Sequence, residues 1–118
     1  MPYSIVESAA EGTGGDVTIV FPEDSEWFDG HFPDAPVLPG VAQLAAVADE
    51  IQRRLPTGHR IAGLNRVRFK QVIGPEQEMT ISISENSGNP FCHDFRITCR
   101  GAVACVGSIE MTPADGTP

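Results

Sequence analysis

The chain has 118 residues, a length that fits one domain with one hydrophobic core. Its formal net charge of −8 argues against binding to nucleic acid or to an anionic membrane. The apolar runs are too short to span a membrane, and the first residues lack the basic and apolar regions of a signal peptide.

Two short runs near the N-terminus contain β-branched residues and flank a glycine-rich segment. The runs are residues 3–8 and 16–21, and the segment between them includes residues 12–15. This pattern predicts either a hairpin or two separate early strands. Prolines interrupt the following residues 23–39, which predicts a loop, and long loops in compact domains usually carry function.

A helix is predicted over residues 39–55 by apolar residues at helical spacing. Pro39 suits the first helical position, and Pro56 follows directly after the end. Further small apolar residues widen the apolar arc, so we expect a helix enclosed on most sides. The main stripe consists of Val41, Leu44, Ala45, Ala48, Ile51 and Leu55.

The rest of the chain alternates between apolar and polar residues with a period of two. This alternation predicts half-buried antiparallel strands. The predicted strands cover residues 61–72, 78–84, 91–100 and 102–111. In the third of them, one face carries Phe91, His93, Phe95, Ile97 and Cys99.

One long helix with five or six antiparallel strands indicates an α+β architecture. A curved antiparallel sheet wrapped around one long central helix would bury both the wide apolar arc of the helix and the apolar face of the strands. We therefore expect a single domain over residues 1–111 and a disordered tail over residues 112–118.

The most informative residue is His31, which lies between Gly30 and Phe32 in the proline-rich loop ahead of the helix. An imidazole is suited to moving protons near neutral pH. The N-terminus of a helix offers unpaired N–H groups and a positive dipole end, which suit a developing oxyanion. The combination favours a site that enolises a carbonyl compound, and the alternative is a loop histidine that caps a turn.

The sequence around His31 also resembles a known family. HFPDAPVLPGV at residues 31–41 is similar to the signature of the beta-hydroxyacyl-acyl-carrier-protein dehydratases of the hot-dog fold. PGVAQL at residues 39–44 resembles their small dehydratase-like thioester branch, and RFK at residues 68–70 followed by IGP at residues 73–75 gives a weaker match. The resemblance implies a homodimer with the site between subunits, and substrates carried on acyl carrier protein or coenzyme A.

The resemblance also implies roles for individual residues. His31 corresponds to a catalytic residue of the elimination, and the backbone N–H of Gly40 would meet the thioester carbonyl. The main chain near Val37 would orient the imidazole. The remaining residues expected to line the substrate site are Phe32, Val41 and Ala45.

One position departs from the family pattern. The family has Glu or Asp six residues after the signature proline, where this chain has Ala45, which cannot carry a proton. Asp49 lies one turn further on nearly the same face of the helix and is the candidate second catalytic group. The alternative is that Asp49 and Glu50 form the solvated edge of the helix.

The other polar residues suggest no metal and no cofactor. His59 is expected in a loop, and His93 is expected to be a hydrogen-bonded histidine of the core. All eight basic residues lie between Arg53 and Arg100, as ordinary surface charge or as a site for an acidic partner such as an acyl carrier protein. Three cysteines without CxxC spacing indicate reduced thiols and a cytoplasmic protein.

Three functions remain open from the sequence. The leading one is dehydration of 3-hydroxyacyl thioesters to trans-2-enoyl thioesters, with His31 as base and acid and Asp49 as helper. The second is a non-catalytic acyl-binding or partner subunit, which Ala45 favours. The third is hydrolysis of acyl thioesters on the same scaffold.

Overall fold

The computed structural model describes residues 3–11, 14–28, 37–55, 59–86 and 88–113. Within these residues, six strands form a single antiparallel sheet in the order β1-β2-β4-β5-β6-β3, together with one α-helix. The elements are β1 (Ser4–Glu11), β2 (Gly14–Val20), a 3-10 turn (Glu26–Phe28), α1 (Gly40–Arg54), β3 (His59–Phe69), β4 (Met79–Asn86), β5 (Asn89–Cys99) and β6 (Ala102–Pro113). The expected α+β architecture is confirmed.

The two N-terminal strands form the hairpin that was one of the two expectations. β1 pairs antiparallel with β2 from Ser4 opposite Val20 to Glu11 opposite Gly14. Most described side chains of β1 are exposed, whereas Val17 of β2 is buried. β1 therefore forms one edge of the sheet and β2 begins its covered part.

The core lies on one face of the sheet, where alternating residues of neighbouring strands meet. Ile81 of β4 pairs with residues of β2 and β5, and the row continues into β6. The row consists of Val17, Ile81, Ile97 and Cys105, none of them more than 1% exposed. Removal of each large aliphatic side chain from water contributes about 1.5–3 kcal/mol, so the period-two pattern of the sequence carries much of the stability.

Helix α1 is shorter than its apolar pattern by one residue at each end. Pro39 is the N-cap, with φ −59° and ψ 148°, and Gly40 is the first helical residue, so Pro39 does not occupy the first helical position. The helix ends at Arg54, and Leu55 is already extended. Arg53 and Arg54 in the last turn complement the helix dipole. Among the described residues, no helix is long and apolar enough to cross a membrane.

The buried side of α1 differs from the predicted stripe. Val41 is 62% exposed, while Gln43 and Glu50 are buried. In a helix rich in alanine, apolar spacing alone does not decide which arc faces the sheet. The helix is also open on one side in the single chain, contrary to the expected enclosure. The buried residues of α1 are Ala42, Gln43, Ala46, Val47, Ala48, Glu50 and Ile51.

Three further expectations need correction. Strand β6 continues through Thr112 and Pro113, which pair with Arg60 and His59. Residues 112 and 113 therefore belong to the sheet and not to the expected disordered tail. The edge strand β3 supplies the pairing that orders these residues. His59, expected in a loop, lies in strand β3. Phe91 shares a face with the buried residues of β5 but is 57% exposed, because it lies near the N-terminal end of the strand. Residues 114–118 lie outside the described residues.

A tight turn joins β5 to β6 and holds the segment that follows β3. Arg100 and Gly101 have φ of 54° and 75°, as in the hairpin turns that match strand twist. Arg100 donates from Nη2 to Oε1 of Gln71 at 2.8 Å and to the carbonyl of Val72 at 3.2 Å. These bonds fix the segment between β3 and β4, which passes beside the N-terminus of α1 where Leu38 donates to the Ile73 carbonyl.

Candidate active site

The segment ahead of α1 is held by a backbone hydrogen bond. The Leu38 N–H donates to the carbonyl of Ile73 at 2.7 Å, and both side chains are 1% exposed. Two apolar anchors therefore fix Val37 to Pro39 against the chain that follows β3. Val37, expected to orient the catalytic imidazole through its main chain, is half-buried beside this anchor.

Gly40 begins the helix in contact with an aromatic ring. A Cβ added to Gly40 would lie 2.7 Å from Cζ of Phe69 and about 3 Å from its two Cε atoms, at 3.0 and 3.1 Å. A side chain at this position would therefore collide with the ring. The contact with Phe69 is thus a structural reason for glycine at this position of the PGV motif, in addition to the expected approach of substrate to its backbone.

Three of the predicted site residues lie along the less buried side of α1. Val41, Ala45 and Asp49 follow one another at intervals of four residues. Val41 is exposed, whereas Ala45 and Asp49 are half-buried. The methyl group of Ala45 offers no proton, and Asp49 lies about 14 Å along the axis from Gly40.

Asp49 has the electrostatic environment that a proton donor needs. Burial raises the pKa of its carboxyl above the ordinary value. Arg53 lowers this pKa and Glu50 raises it further. The net direction favours the protonated form, as expected for a carboxyl that loses contact with water.

Glu50, which one alternative placed at the solvated edge, is 4% exposed. Its Oε2 accepts a hydrogen bond from the Tyr3 hydroxyl at 2.8 Å and lies 3.5 Å from Nη1 of Arg53. The guanidinium of Arg53 also lies 5.9 Å from the centre of the Tyr3 ring. This cluster was not predicted, because Tyr3 and Glu50 are 47 positions apart in the sequence. The spacing of Gln43, Ala46, Val47, Glu50 and Ile51 is the signal that could have placed Glu50 on the buried side.

The residue with the strongest sequence signal, His31, lies outside the described residues, and so does Phe32. Of the predicted site, the described residues thus bring Val37, Gly40 and Val41 together at the start of α1. Asp49 is placed further along the same helix.

The other two histidines do not join this site. His93 is 4% exposed, and its Nδ1 has no hydrogen-bond partner among the described residues. Burial lowers the pKa of His93, so a neutral ring is favoured. The expected core position is confirmed, but no hydrogen bond is formed at Nδ1. The described residues contain no group of three or more histidine, cysteine, aspartate or glutamate side chains that could hold a metal ion.

A polar groove of about 500 Å³ lies elsewhere, on the sheet. Its lining includes Asp16, Ser84, Asp94 and Arg96, and the Asp94 carboxylate accepts a 2.6 Å hydrogen bond from the hydroxyl of Ser108. The groove is open and polar, and of the predicted site residues that the structure describes, none lines it.

Comparison with known proteins shows similarity to dehydratases. Residues 7–108 match the model of the ApeI-like family, described as ApeI dehydratase. A 3-hydroxyacyl-[acyl-carrier-protein] dehydratase FabZ from Clostridium perfringens is 32% identical over 126 aligned positions, covering 92% of this chain and 86% of that protein. The FabZ of Coxiella burnetii is 37% identical over 67 residues, covering 48% of this chain and 47% of that protein. The chain thus spans about half the length of the first curated relatives it matches.

Solved structures show the same fold. The dehydratase heterocomplex ApeI:P from Xenorhabdus doucetiae superposes with a TM-score of 0.82 at 24% identity, over 94% of this chain and 98% of that one. An (R)-hydratase from A. caviae superposes with a TM-score of 0.66 at 16% identity, over 91% of this chain and 99% of that one. The expected hot-dog fold, a curved antiparallel sheet with one long helix, is confirmed.

Proposed function

The chain belongs to the ApeI-like dehydratase family, and we propose that it removes water from 3-hydroxyacyl thioesters to give trans-2-enoyl thioesters. The observation that carries this proposal is the family match across residues 7–108, which includes the motif HFPDAPVLPGV at residues 31–41. In this reaction the C2 proton and the C3 hydroxyl leave together as water, and a double bond forms between C2 and C3.

The chemistry needs a base at C2, a proton for the leaving hydroxyl and stabilisation of the enolate oxygen. We assign the base to His31, which takes the C2 proton. Asp49 protonates the leaving hydroxyl and is then reprotonated from His31 through solvent, so one proton and one hydroxide leave as water. The Gly40 N–H, at the positive end of the α1 dipole, stabilises the enolate oxygen. Asp49, whose pKa is raised by burial, acts through bound water in place of the carboxyl missing at Ala45, because it lies about 14 Å along the helix axis from Gly40.

We propose that the thioester is carried by an acidic acyl carrier protein or by coenzyme A. Arg68 of β3 and Arg96 of β5 both pair with Val106 from opposite sides, so their exposed side chains project from the same face of the sheet. Arg60 and Lys70 on or beside β3 are also exposed. This concentration of cations in a chain of net charge −8 suits carboxylates of a carrier or phosphates of coenzyme A.

We propose a homodimer formed through β3. This edge strand runs over His59–Phe69, and three of its large apolar side chains are each more than two-fifths exposed. Antiparallel pairing of β3 with its copy would satisfy the unpaired backbone groups and cover Ile61 and Leu64, with Phe69 at the end of the strand left beside the site. The exposed side chains are Ile61 at 43%, Leu64 at 47% and Phe69 at 50%.

We infer a cytoplasmic location from the thiols. Cys92, Cys99 and Cys105 are all free and buried, and burial raises the pKa of Cys105 to about 11. Thiols of this kind suit a reducing compartment.

A second function is supported by one observation. Ala45 occupies the position at which the family has an acid. The absence of this acid fits a partner subunit that binds acyl groups without dehydrating them. Such a subunit would complete a site together with a second hot-dog chain that supplies the carboxyl.

The deciding experiment measures turnover of 3-hydroxyacyl and enoyl thioesters of coenzyme A and of acyl carrier protein, with hydrolysis followed in parallel. We expect hydration and dehydration by the natural chain, and a loss of roughly a hundredfold or more in His31→Ala. His59→Gln is the matched histidine control and should retain the rate. Equal activity of His31→Ala and the natural chain would overturn the assignment of His31.

Ala45→Glu separates the two functions. If the natural chain is inactive and Ala45→Glu gains turnover, the chain is a partner subunit whose scaffold lacks an acid. If the natural chain is already active and Ala45→Glu changes the rate only modestly, the dehydratase function stands. Thioester hydrolysis without any enoyl product would contradict both.

A further inference from the structure

The N-terminus of α1 has an aromatic ring lying directly against it. The point at which a Cβ of Gly40 would sit is 2.7 Å from Cζ of Phe69, with Cε1 and Cε2 at 3.0 and 3.1 Å. The tip of the ring, formed by Cζ and the two Cε atoms, therefore occupies the space beside the Gly40 backbone. Phe69 remains 50% exposed, so its ring is not enclosed by the single chain.

The backbone that carries this ring is fixed on both sides. Phe69 ends β3 and pairs with Cys105, which is fully buried. The next amide, of Lys70, donates to the carbonyl of Ala104 at 2.7 Å, and the amide of Gln71 donates to the same oxygen at 3.4 Å. The ring can therefore change its rotamer, but its Cα cannot move away from the helix without breaking the end of the sheet.

The first turn of α1 has no side-chain cap at its N-terminus. Its N-cap is Pro39, which makes no side-chain cap hydrogen bond, and the Pro39 carbonyl is taken by the amides of Ala42 and Gln43. An oxygen that accepts from the Gly40 N–H would lie about 3 Å from the nitrogen. Atoms bonded to the carbon that bears this oxygen then fall within contact distance of the Phe69 ring.

From this geometry we propose that Phe69 is a specificity-determining residue, whose ring forms the wall beside the thioester carbonyl and excludes substituents at C2 of the acyl group. The proposal rests on the proposed function, because it uses the thioester oxygen at Gly40. Because the ring lies at the carbonyl end of the site, Phe69 discriminates between substrates by branching next to the carbonyl and not by the length of the acyl chain.

The contact itself is tested without any substrate. Gly40→Ala should affect the thermal midpoint less favourably in the natural chain than in Phe69→Ala, because the Phe69 ring must turn away to admit the added Cβ. Coupling between the two substitutions is expected because the groups are in direct contact. Equal loss of stability from Gly40→Ala in both backgrounds would show that the ring does not occupy this space.

The functional test compares three coenzyme A thioesters: 3-hydroxybutanoyl, 3-hydroxydecanoyl and 2-methyl-3-hydroxybutanoyl. In Phe69→Ala, the kcat/KM for the 2-methyl substrate relative to 3-hydroxybutanoyl should rise about tenfold or more, the scale on which a methyl group is rejected by a packed wall. The ratio of the ten-carbon to the four-carbon substrate should change less than twofold. An unchanged branching ratio in an active Phe69→Ala variant would overturn the proposal.

A matched control is Phe91→Ala. Phe91 is 57% exposed, close to the exposure of Phe69, but lies at the start of β5, where Cys92 pairs with Glu110. Phe69 pairs with Cys105, five residues earlier on β6, a separation of roughly 17 Å along the strand. We expect Phe91→Ala to leave both substrate ratios unchanged, and an equal shift in this variant would attribute the effect to general loosening.

The preference for branched over unbranched acyl groups is also measured as a ratio of dissociation constants, so that the result does not depend on turnover. Butanoyl and 2-methylbutanoyl coenzyme A are titrated into the natural chain and Phe69→Ala by calorimetry, with the same tenfold gain expected for the branched ligand. If thioesters bind or react but the ratio stays constant, the wall assignment is wrong and the proposed function stands. If no thioester binds or reacts, the proposed function is wrong and the wall assignment falls with it.

Discussion

At the scale of single residues, the carboxyl of Asp49 is the described group whose environment bears most directly on the proposed dehydration. It lies half-buried on α1, four residues after Ala45. Burial raises its pKa, and of its charged neighbours Arg53 opposes the shift while Glu50 adds to it. A raised pKa is the direction that a carboxyl needs in order to donate a proton to a leaving hydroxyl.

Asp49→Asn should lower kcat for dehydration by roughly a hundredfold or more, because the amide cannot transfer a proton. The thermal midpoint should change little, since asparagine has nearly the same volume. The measurement is the steady-state rate of enoyl formation. Glu78→Gln, an exposed acid at the start of the β4 region, is the control and should retain the rate. A rate in Asp49→Asn equal to that of the natural chain would assign the acid to water or to another subunit.

His93 makes stability depend on pH. Its ring is buried, burial lowers its pKa, and the effects of Glu85 and Asp94 oppose this shift while His59 adds to it. Because the folded pKa is below the unfolded one, the unfolded chain binds the proton more readily. The folded state is therefore most favoured above the ordinary histidine pKa, and this advantage is lost as the pH falls below it.

We expect the urea midpoint of the natural chain to fall more steeply between pH 7 and pH 5 than that of His93→Gln. The glutamine variant has no titrating group at this position, so the difference between the two curves isolates His93 from the carboxylates. Parallel curves would show that the imidazole can be protonated in the folded chain without cost.

At the scale of elements, a buried polar contact joins the start of the chain to α1. The Tyr3 hydroxyl donates to Glu50 across the interior side of the helix, and the ring of Tyr3 packs 5.4 Å from that of Phe21. Burial and the bond to Glu50 raise the pKa of Tyr3, so the phenol keeps its proton and remains a donor. The contact fixes the rotation of α1 relative to the β1–β2 hairpin.

Tyr3→Phe should lower the free energy of unfolding by about 1–3 kcal/mol, because a buried carboxyl oxygen loses its donor. Urea unfolding of Tyr3→Phe, Glu50→Gln and the double variant measures the coupling between the two side chains. We expect a coupling of at least about 0.5 kcal/mol. Additive losses would mean that the 2.8 Å contact contributes nothing of its own.

At the scale of the whole molecule, the two edges of the sheet differ. Both edges carry exposed apolar residues, with Ile5 and Val6 on β1 and three large side chains on β3. β3 is longer, and it ends at the N-terminus of α1, where Phe69 meets Gly40. A partner on β3 would therefore approach the proposed site, whereas a partner on β1 would not.

Leu64→Arg should convert the proposed dimer to monomer and lower activity in parallel. The substitution places like charges opposite each other when two copies of β3 pair. Sedimentation velocity measures the oligomeric state. Ile5→Arg is the matched control, since Ile5 is 41% exposed and Leu64 is 47% exposed, and it should leave the dimer intact. A dimer lost in Ile5→Arg and retained in Leu64→Arg would place the interface on β1.

The sequence by itself determined the elements and the family. Period-two alternation in residues 78–84 and 91–100 is a local property of the chain, because successive side chains of a strand point to opposite faces, and both strands formed where it predicted. The helix ended within one residue of its predicted bounds at each end. The motif at residues 31–41 indicated the family that the comparisons then established. The roles of His31 and Asp49 stay predictions.

Only the tertiary structure decided which side of each element faces inward. Val41, which belongs to the predicted apolar stripe, is exposed, and Glu50, which one alternative placed in solvent, is buried. The rotation of an alanine-rich helix is set by the sheet, by Tyr3 and by Phe69, which are distant in sequence. The pairing of Thr112 and Pro113 with β3 likewise extended β6 beyond its apolar pattern. Local spacing determines periodicity, whereas the choice of buried face minimises the free energy of all packed surfaces together and is therefore a property of the assembled chain.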